Sequence, residues 1–345
     1  MFSEVSRMAQ DCLINGWVEE DGSLLPDDEI RRAILHEPDR VCRFGGEFAI
    51  TCGRYRLRDH LGIFPGDAPP GIFEKDASPI CRIDPNPPLM PLADAIQTAV
   101  RLRSSVHSVV ALSGGVDSAL IARLAGRPCI GTGLPGSHDL LRGRAVAERL
   151  GCQFTAIEID PGEVEDVLIR ILPHLPSRSP VDAGIAATLF FLCRAAAEMG
   201  YDRILSGQGA DELFCGYTRH LQSLDLAADR AGDLADLPRQ LARDQAVAGI
   251  SGVWLSMPYL DLRVLRAADH LPVNDMIQSG VRKYPLRLVA SAHMPEDIAW
   301  YEKKAMQYGS GVWKTIQARA QERGFKRAVQ GYMNHLQEGG AEDGL

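Results

Sequence analysis

Val106-His107-Ser108-Val109-Val110-Ala111-Leu112 runs straight into Ser113-Gly114-Gly115-Val116-Asp117-Ser118, and this junction restricts the fold more than any other segment of the chain. The apolar run reads as a strand buried on both faces. Such a strand needs cover on both sides, which implies a parallel sheet wrapped by helices. After Leu112 the two glycines let the backbone turn tightly, and Asp117-Ser118 open a helix whose free N–H groups face the turn, a geometry that cradles anions. The hydroxyls of Ser113 and Ser118 add donors. Asp117 would repel a phosphate unless a divalent cation stood between them, so it points to magnesium. A Gly-Gly turn alone could join strand to helix in any α/β protein.

The order strand, turn, helix recurs downstream. Pro128-Cys129-Ile130-Gly131 reads as a strand, Asp139 to Leu150 as a helix, and Phe154 to Ile159 as a strand. A long helical stretch through Phe190 and Glu198 follows, then a strand at Arg203-Ile204-Leu205. From about Leu213 the pattern is mostly helical. Upstream, Glu47–Thr51 and Tyr55–Leu57 read as a hairpin around Gly53, within a small β-rich region. Between the two regions, Pro79, Pro85, Pro87, Pro88 and Pro91 withhold donors and fix φ, so neither a helix nor an inner strand can run through. The expected division is therefore a small β-rich domain at 1–88 and a Rossmann-like α/β domain with a helical C-terminal part at 89–345.

Composition narrows the partners. At 345 residues, two domains can each bury a core. A net charge of -8 argues against a surface that coats nucleic acid, and a small molecule or a protein is the better expectation. No uninterrupted apolar stretch reaches membrane-spanning length, and MFSEVSRMAQ lacks the basic-then-apolar order of a signal peptide, so the cytoplasm is the expected location. The eight cysteines contain no CxxC pair, and neither zinc nor a disulfide framework is expected.

The full hexapeptide Ser113–Ser118 after an apolar strand resembles the signature of the PP-loop ATP pyrophosphatases, and it lacks the GK[ST] ending of a Walker loop. A second segment, Leu205-Ser206-Gly207-Gln208-Gly209-Ala210-Asp211-Glu212-Leu213-Phe214-Cys215-Gly216-Tyr217, is similar to the SGEGADELFGGY motif of the asparagine synthetase family, which includes β-lactam-forming synthetases. The resemblance implies ATP bound by Leu112, Ser113, Gly114, Gly115, Asp117, Ser118, Ser206 and Gly207, with Mg2+ held by Asp117 and Asp211. Taken outside the motif, Asp211-Glu212 would read simply as acidic charge at a helix N-terminus. Gly131–Leu140 resembles the family's adenosine-side loop, which implies that the backbone near Thr132 and Gly133 faces adenine. The same stretch also reads as a helix start capped by Ser137 or Asp139. Met257–Asp261 echoes a PFLD element and Arg282–Arg287 a KxxLR element. Matching AW-x-x-K places the family's catalytic lysine at Lys303, with Lys304 beside it, although a Lys-Lys pair is also an ordinary solvated feature.

The chain also departs from the family. Glutamine-hydrolysing members begin their nucleophile domain with cysteine after the initiator methionine, whereas this sequence starts Met1-Phe2-Ser3, and Cys12 could serve only after processing. Gly46-Glu47-Phe48-Ala49 and Arg58-Asp59-His60-Leu61-Gly62 nevertheless look like the GEFA and RDxxG pieces of that domain. A shortened, non-catalytic remnant is the expectation, which leaves a separate glutaminase or other protein subunit as a source of ammonia. Gln208 replaces the glutamate of SGEG, and an amide can position a group but cannot act as a general base. Ile185-Ala186-Ala187 and Ser256 replace family residues that bind aspartate.

The resemblance implies an ATP-dependent, AMP- and pyrophosphate-forming carbon–nitrogen ligase. It would activate a small carboxylate that ammonia or an amine then captures, with Lys303, Asp211 and Gln208 at the reacting centre. Two alternatives stay open: an intramolecular, lactam-type ring closure, and a non-catalytic ATP-binding regulatory subunit. PP-loop modification of tRNA ranks last, because there is neither a basic stripe nor a cysteine pair.

Overall fold

The computed structural model describes residues 12–177, 179–302, 309–325 and 328–342. It divides into two compact units, one comprising Met1–Leu102 with Ser256–Leu271 and the other Arg103–Leu255 with Pro272–Leu345.

The first unit is built on an antiparallel sheet of order β2-β1-β3-β4-β5-β6, from β1 (Cys12–Glu20), β2 (Ser23–Leu24), β3 (Gly45–Cys52), β4 (Tyr55–Arg58), β5 (Ile72–Lys75) and β6 (Ser78–Arg82). The hairpin expected around Gly53 is β3–β4, with Gly53 at φ +59°. Pro79 falls in β6, an edge strand, where a missing donor is tolerated. One face of the sheet packs Phe48, Ile50, Leu57 and Phe73 against Ile30 and Ile34 of the helix Asp27–His36. Asp59 organises the turn after β4. Its carboxylate accepts from the amides of Leu61 (3.2 Å), Ile63 (2.9 Å) and Phe64 (2.9 Å), and from that of Phe48 on β3 (3.3 Å).

The segment resembling PFLD belongs to this unit. Glu47, fully buried, accepts from the Met257 amide at 2.9 Å and from the Ser256 hydroxyl, and Arg263 bridges Glu19 at 2.7 Å. A serine thus stands at 256 where it can donate to a buried carboxylate of the small sheet.

The cysteines require a correction. Cys12 is bonded to Cys52 and Cys42 to Cys81, while Cys129, Cys152, Cys193 and Cys215 are free. Antiparallel register places Cys12 directly opposite Cys52 across 40 residues, a pairing that local spacing does not reveal. Thiol titration of unfolded protein is expected to count four reactive thiols without reductant and eight after reduction. A count of eight in both conditions would refute the two bonds.

The second unit has the expected α/β architecture. Strands β7 (Ser108–Ala111), β8 (Cys129–Gly133), β9 (Phe154–Glu158), β10 (Arg203–Leu205) and β11 (Trp254–Ser256) lie in the order β11-β10-β7-β8-β9, with β10, β7, β8 and β9 paired in parallel. The first strand begins later than the apolar run suggests, since Val106 precedes it and is exposed. Helices Val116–Ala125, His138–Leu150 and Pro180–Glu198 connect the strands. The last of these is apolar and long enough to cross a membrane by length and composition, but it is mostly buried in the core, where Phe190, Phe191 and Cys193 pack. The longest helix, Leu226–Ile250, packs against it.

Candidate active site

The chain leaves β7 in one direction, to β8 and β9, and later returns on the other side, to β10 and β11. Open α/β sheets place ligands at such a reversal, beyond the carboxyl ends of the two strands that flank it. Here those strands are β7 and β10. Ser113–Ser118 follows the first and Ser206–Leu213 the second, and their registers put Leu205 beside Val110. A cleft of about 310 Å³ opens there, and both loops line it.

Gly114 makes the first turn at φ +81°, where a Cβ would come within 2.6 Å of the Arg142 side chain and 2.9 Å of its backbone, so glycine is required. Gly115 is the N-cap residue of the helix Val116–Ala125 and has no side chain of its own to bond across the first amides. The Ser113 and Ser118 hydroxyls lie 3.2 Å apart and contact one another.

Asp117 and Asp211 are brought to one point, and the side chain between them is Lys283. Its Nζ lies 2.8 Å from Asp117 Oδ2 and 2.8 Å from Asp211 Oδ1. Burial disfavours the ammonium, but the two carboxylates outweigh it and raise the Lys283 pKa. Lys283 sits at φ +57°, a left-handed conformation uncommon for a residue with a side chain, at the start of the helix Tyr284–Ser291. Gly216 makes room for the triad, since a Cβ there would fall 2.0 Å from both Asp211 Oδ1 and Lys283 Cε. Two carboxylates that share one ammonium form a donor set for a hard cation, so the residues present fit magnesium.

Two more cations frame this point. Arg282 donates to the Gly216 carbonyl at 2.7 Å, and Arg287 donates to the carbonyls of Ala299 (2.7 Å) and Tyr301 (3.1 Å). Both line the cleft with Lys283. Burial lowers the Arg287 pKa from its ordinary value.

Among the other expected site residues, Leu112, Ser206, Gly207, Gln208 and Thr132 also line the cleft, whereas Gly114 and Gly133 are not among its lining residues. Thr132 Oγ1 donates to the Ile157 carbonyl at 3.2 Å. Ser137 occupies the N-cap position of His138–Leu150, but no side chain makes a capping bond there. Asp139 falls inside that helix, is buried, and lines the cleft. Lys303 and Lys304 lie outside the described residues. The chain approaching them is fixed by Tyr301, whose hydroxyl meets His138 Nε2 at 2.8 Å and whose ring lies 3.9 Å from the Arg142 guanidinium.

Sequence reasoning missed much of the far wall. It comes from the helices Pro180–Glu198 and Leu226–Ile250. The first contributes an apolar stripe, Ile185, Leu189 and Leu192, and the second contributes Gln240 and Arg243. Buried Arg243 donates to Asp182 at 2.6 Å and to Asp244 at 2.7 Å, and Arg239 also reaches Asp182, at 2.6 Å. Gln208 Nε2 donates to Gln240 Oε1 at 2.9 Å. Tyr217 donates to Glu212, whose carboxyl burial pushes above its usual range. Periodicity on Leu226–Ile250 marks a helix but does not identify which of its polar residues face a cleft. The Arg282–Arg287 stretch did carry a signal for Lys283, through its likeness to KxxLR.

The family model for asparagine synthase matches residues 91–250 and 235–336. A protein of Methanocaldococcus jannaschii named as a glutamine-hydrolysing asparagine synthetase is 30% identical over 280 residues, covering 68% of this chain and 52% of that protein. Asparagine synthetase B of Escherichia coli is 27% identical over 265 residues, covering 70% and 47%, and asparagine synthetase 1 of Arabidopsis thaliana is 33% identical over 259 residues, covering 66% and 44%. The chain thus spans about half the length of the curated relatives it matches. The match takes in both cleft loops, the Lys283 turn and the helix that carries Gln240 and Arg243, and the chain belongs to the asparagine synthase family.

Proposed function

We propose that this chain is an ATP-dependent amide-forming ligase. A carboxylate oxygen attacks the α-phosphorus of ATP, the bond to the β-phosphate breaks, and pyrophosphate leaves. Ammonia or an amine then attacks the acyl carbon, the carbon–oxygen bond to AMP breaks, and the surplus proton passes to solvent. The observation that carries this reading is the meeting of Asp117, Asp211 and Lys283 at the reversal between β7 and β10, with Arg282 and Arg287 beside them. That set suits a polyphosphate with its cation: the carboxylates would hold magnesium, and the lysine and arginines would face phosphate oxygens. Magnesium, when bound, neutralises charge on the departing pyrophosphate. The stripe Ile185-Leu189-Leu192 gives the acceptor side an apolar wall, which suits a carboxylic acid less polar than aspartate.

The first unit is assigned a glutaminase-like ancestry without glutaminase activity, because Cys12 is held in a disulfide with Cys52. Ammonia would then come from solution or from a separate subunit, and the protein is expected to form no glutamate from glutamine.

The deciding measurement is pyrophosphate release from Mg-ATP, with pools of carboxylic acids plus ammonium or amines. Release above the Asp117→Ala level supports the ligase. The Gln208–Gln240 amide pair, which carries no acid or base, favours the rival reading of a nucleotide-binding regulator. That reading predicts ATP binding with no release from any pool.

A further inference from the structure

Tyr301 lines the cleft and is held from three sides within the second unit. Its hydroxyl meets His138 Nε2 at 2.8 Å, its ring lies 3.9 Å from the Arg142 guanidinium, and its carbonyl accepts from Arg287 at 3.1 Å. His138 is itself fixed at its other nitrogen: Nδ1 lies 3.1 Å from Oδ1 of Asp139, a buried side chain. A carboxylate has no hydrogen to give, so Nδ1 carries the proton of the neutral ring and Nε2 keeps a lone pair. The Tyr301 hydroxyl must then donate to Nε2. An ordered line of hydrogen bonds, Tyr301 to His138 to Asp139, therefore starts in the cleft. It also reaches water, since the His138 side chain is 32% exposed.

Amide formation leaves the attacking nitrogen with a proton to lose. Among the described residues, the other acids that line the cleft are Asp117, Asp211 and Glu212. Asp117 and Asp211 are engaged by Lys283, and Glu212 receives the Tyr217 hydroxyl. Glu212 is 2% exposed, so a proton passed to it would stay in the protein. Gln208 carries no base. We infer that Tyr301 takes the proton of the nitrogen nucleophile and that His138 delivers it to solvent, with Asp139 as a positioning residue. As the nitrogen lone pair forms the bond to the acyl carbon, an N–H bond breaks and its proton joins the Tyr301 oxygen. The original tyrosine proton moves to His138 Nε2, the Asp139 carboxylate balances the imidazolium, and solvent removes the proton from the ring. This role rests on the amide-forming reading and gives the proton released there a route out.

The test uses the full chain, Mg-ATP, a carboxylic acid that supports ATP–pyrophosphate exchange, and hydroxylamine as the amine probe. Hydroxamate formation is divided by exchange in each variant, so that losses in activation or folding cancel. Tyr301→Phe keeps the ring on Arg142 and removes only the hydroxyl. It is expected to lower the ratio about a hundredfold, the size of a lost acid–base group. His138→Ala is expected to lower the ratio similarly. Added imidazole can enter the partly exposed space that the ring leaves, and should raise the His138→Ala ratio about tenfold. A merely structural histidine would show no such recovery. In the double variant His138→Ala, Tyr301→Phe imidazole should recover nothing, because no hydroxyl passes the proton on. A Tyr301→Phe ratio within about threefold of wild type, no imidazole recovery in His138→Ala, or equal recovery in the double variant would overturn this role while leaving the ligase standing. If wild type shows no exchange with any acid, the ligase reading fails and this role fails with it.

Discussion

Asp211→Asn is expected to lower ATP–pyrophosphate exchange about a thousandfold, roughly 4 kcal/mol of lost transition-state stabilisation. The substitution keeps the shape of the side chain and removes its charge, at a position where two carboxylates from adjacent strand ends share one ammonium. With one anion gone, Asp117 alone would hold the proposed divalent cation, and the magnesium concentration giving half-maximal rate is expected to rise at least about tenfold. The fold should survive, because Lys283 keeps Asp117 as a partner at 2.8 Å and the Asp211 side chain is 43% exposed. Far-UV circular dichroism and the melting temperature would show this. Exchange within tenfold of wild type at the same magnesium concentration would remove Asp211 from the metal-holding role.

Arg243→Met carries the largest expected cost in stability, about 3–5 kcal/mol, or on the order of 10 °C in melting temperature. Asp182 would keep Arg239, but Asp244, 3% exposed, would lose the guanidinium that meets it at 2.7 Å. A buried carboxylate without a partner is the costly outcome of breaking such a pair, so Arg243→Met with Asp244→Leu should recover most of the loss. The sign of the pH dependence follows from burial, which already raises the Asp244 pKa above its ordinary value. In the unfolded chain this carboxyl ionises near pH 4, whereas the folded Arg243→Met protein keeps it protonated to higher pH. The folded state therefore binds the extra proton, and the deficit should deepen as pH rises from about 4 and level off above the folded pKa. Chemical denaturation at pH 4.5 and pH 7.5 would measure it. A single variant as stable as wild type at both values would refute the ion-pair account.

The two predictions differ in how legible their residues were. Asp117 and Asp211 stand in segments whose residue types and order carry chemistry: a strand, two glycines, an acid at a helix start, and a second acid after another strand. Backbone periodicity and local turn chemistry determine such segments, so the parallel sheet, its wrapping helices and the loops that follow β7 and β10 were readable from the chain alone. The β3–β4 hairpin and the departures at Gln208, Ile185 and Ser256 were readable for the same reason.

Tertiary structure decided what lies between distant segments. Lys283 is 166 residues from Asp117 and reaches it only because the helix Tyr284–Ser291 starts from a left-handed turn beside the cleft. Cys12 meets Cys52 through strand register, and Ser256 meets Glu47 across 209 residues because the segment Ser256–Leu271 packs with the small sheet. Gln240 and Arg243 sit on a helix whose pattern marks its apolar side without saying what its polar side faces. The sequence by itself determined which glycine-bearing loops follow the strands β7 and β10, because local backbone geometry sets them. Only the packed structure decided which cation stands between the two carboxylates and which side chain holds the Gln208 amide, because contacts between segments distant in the chain fix both.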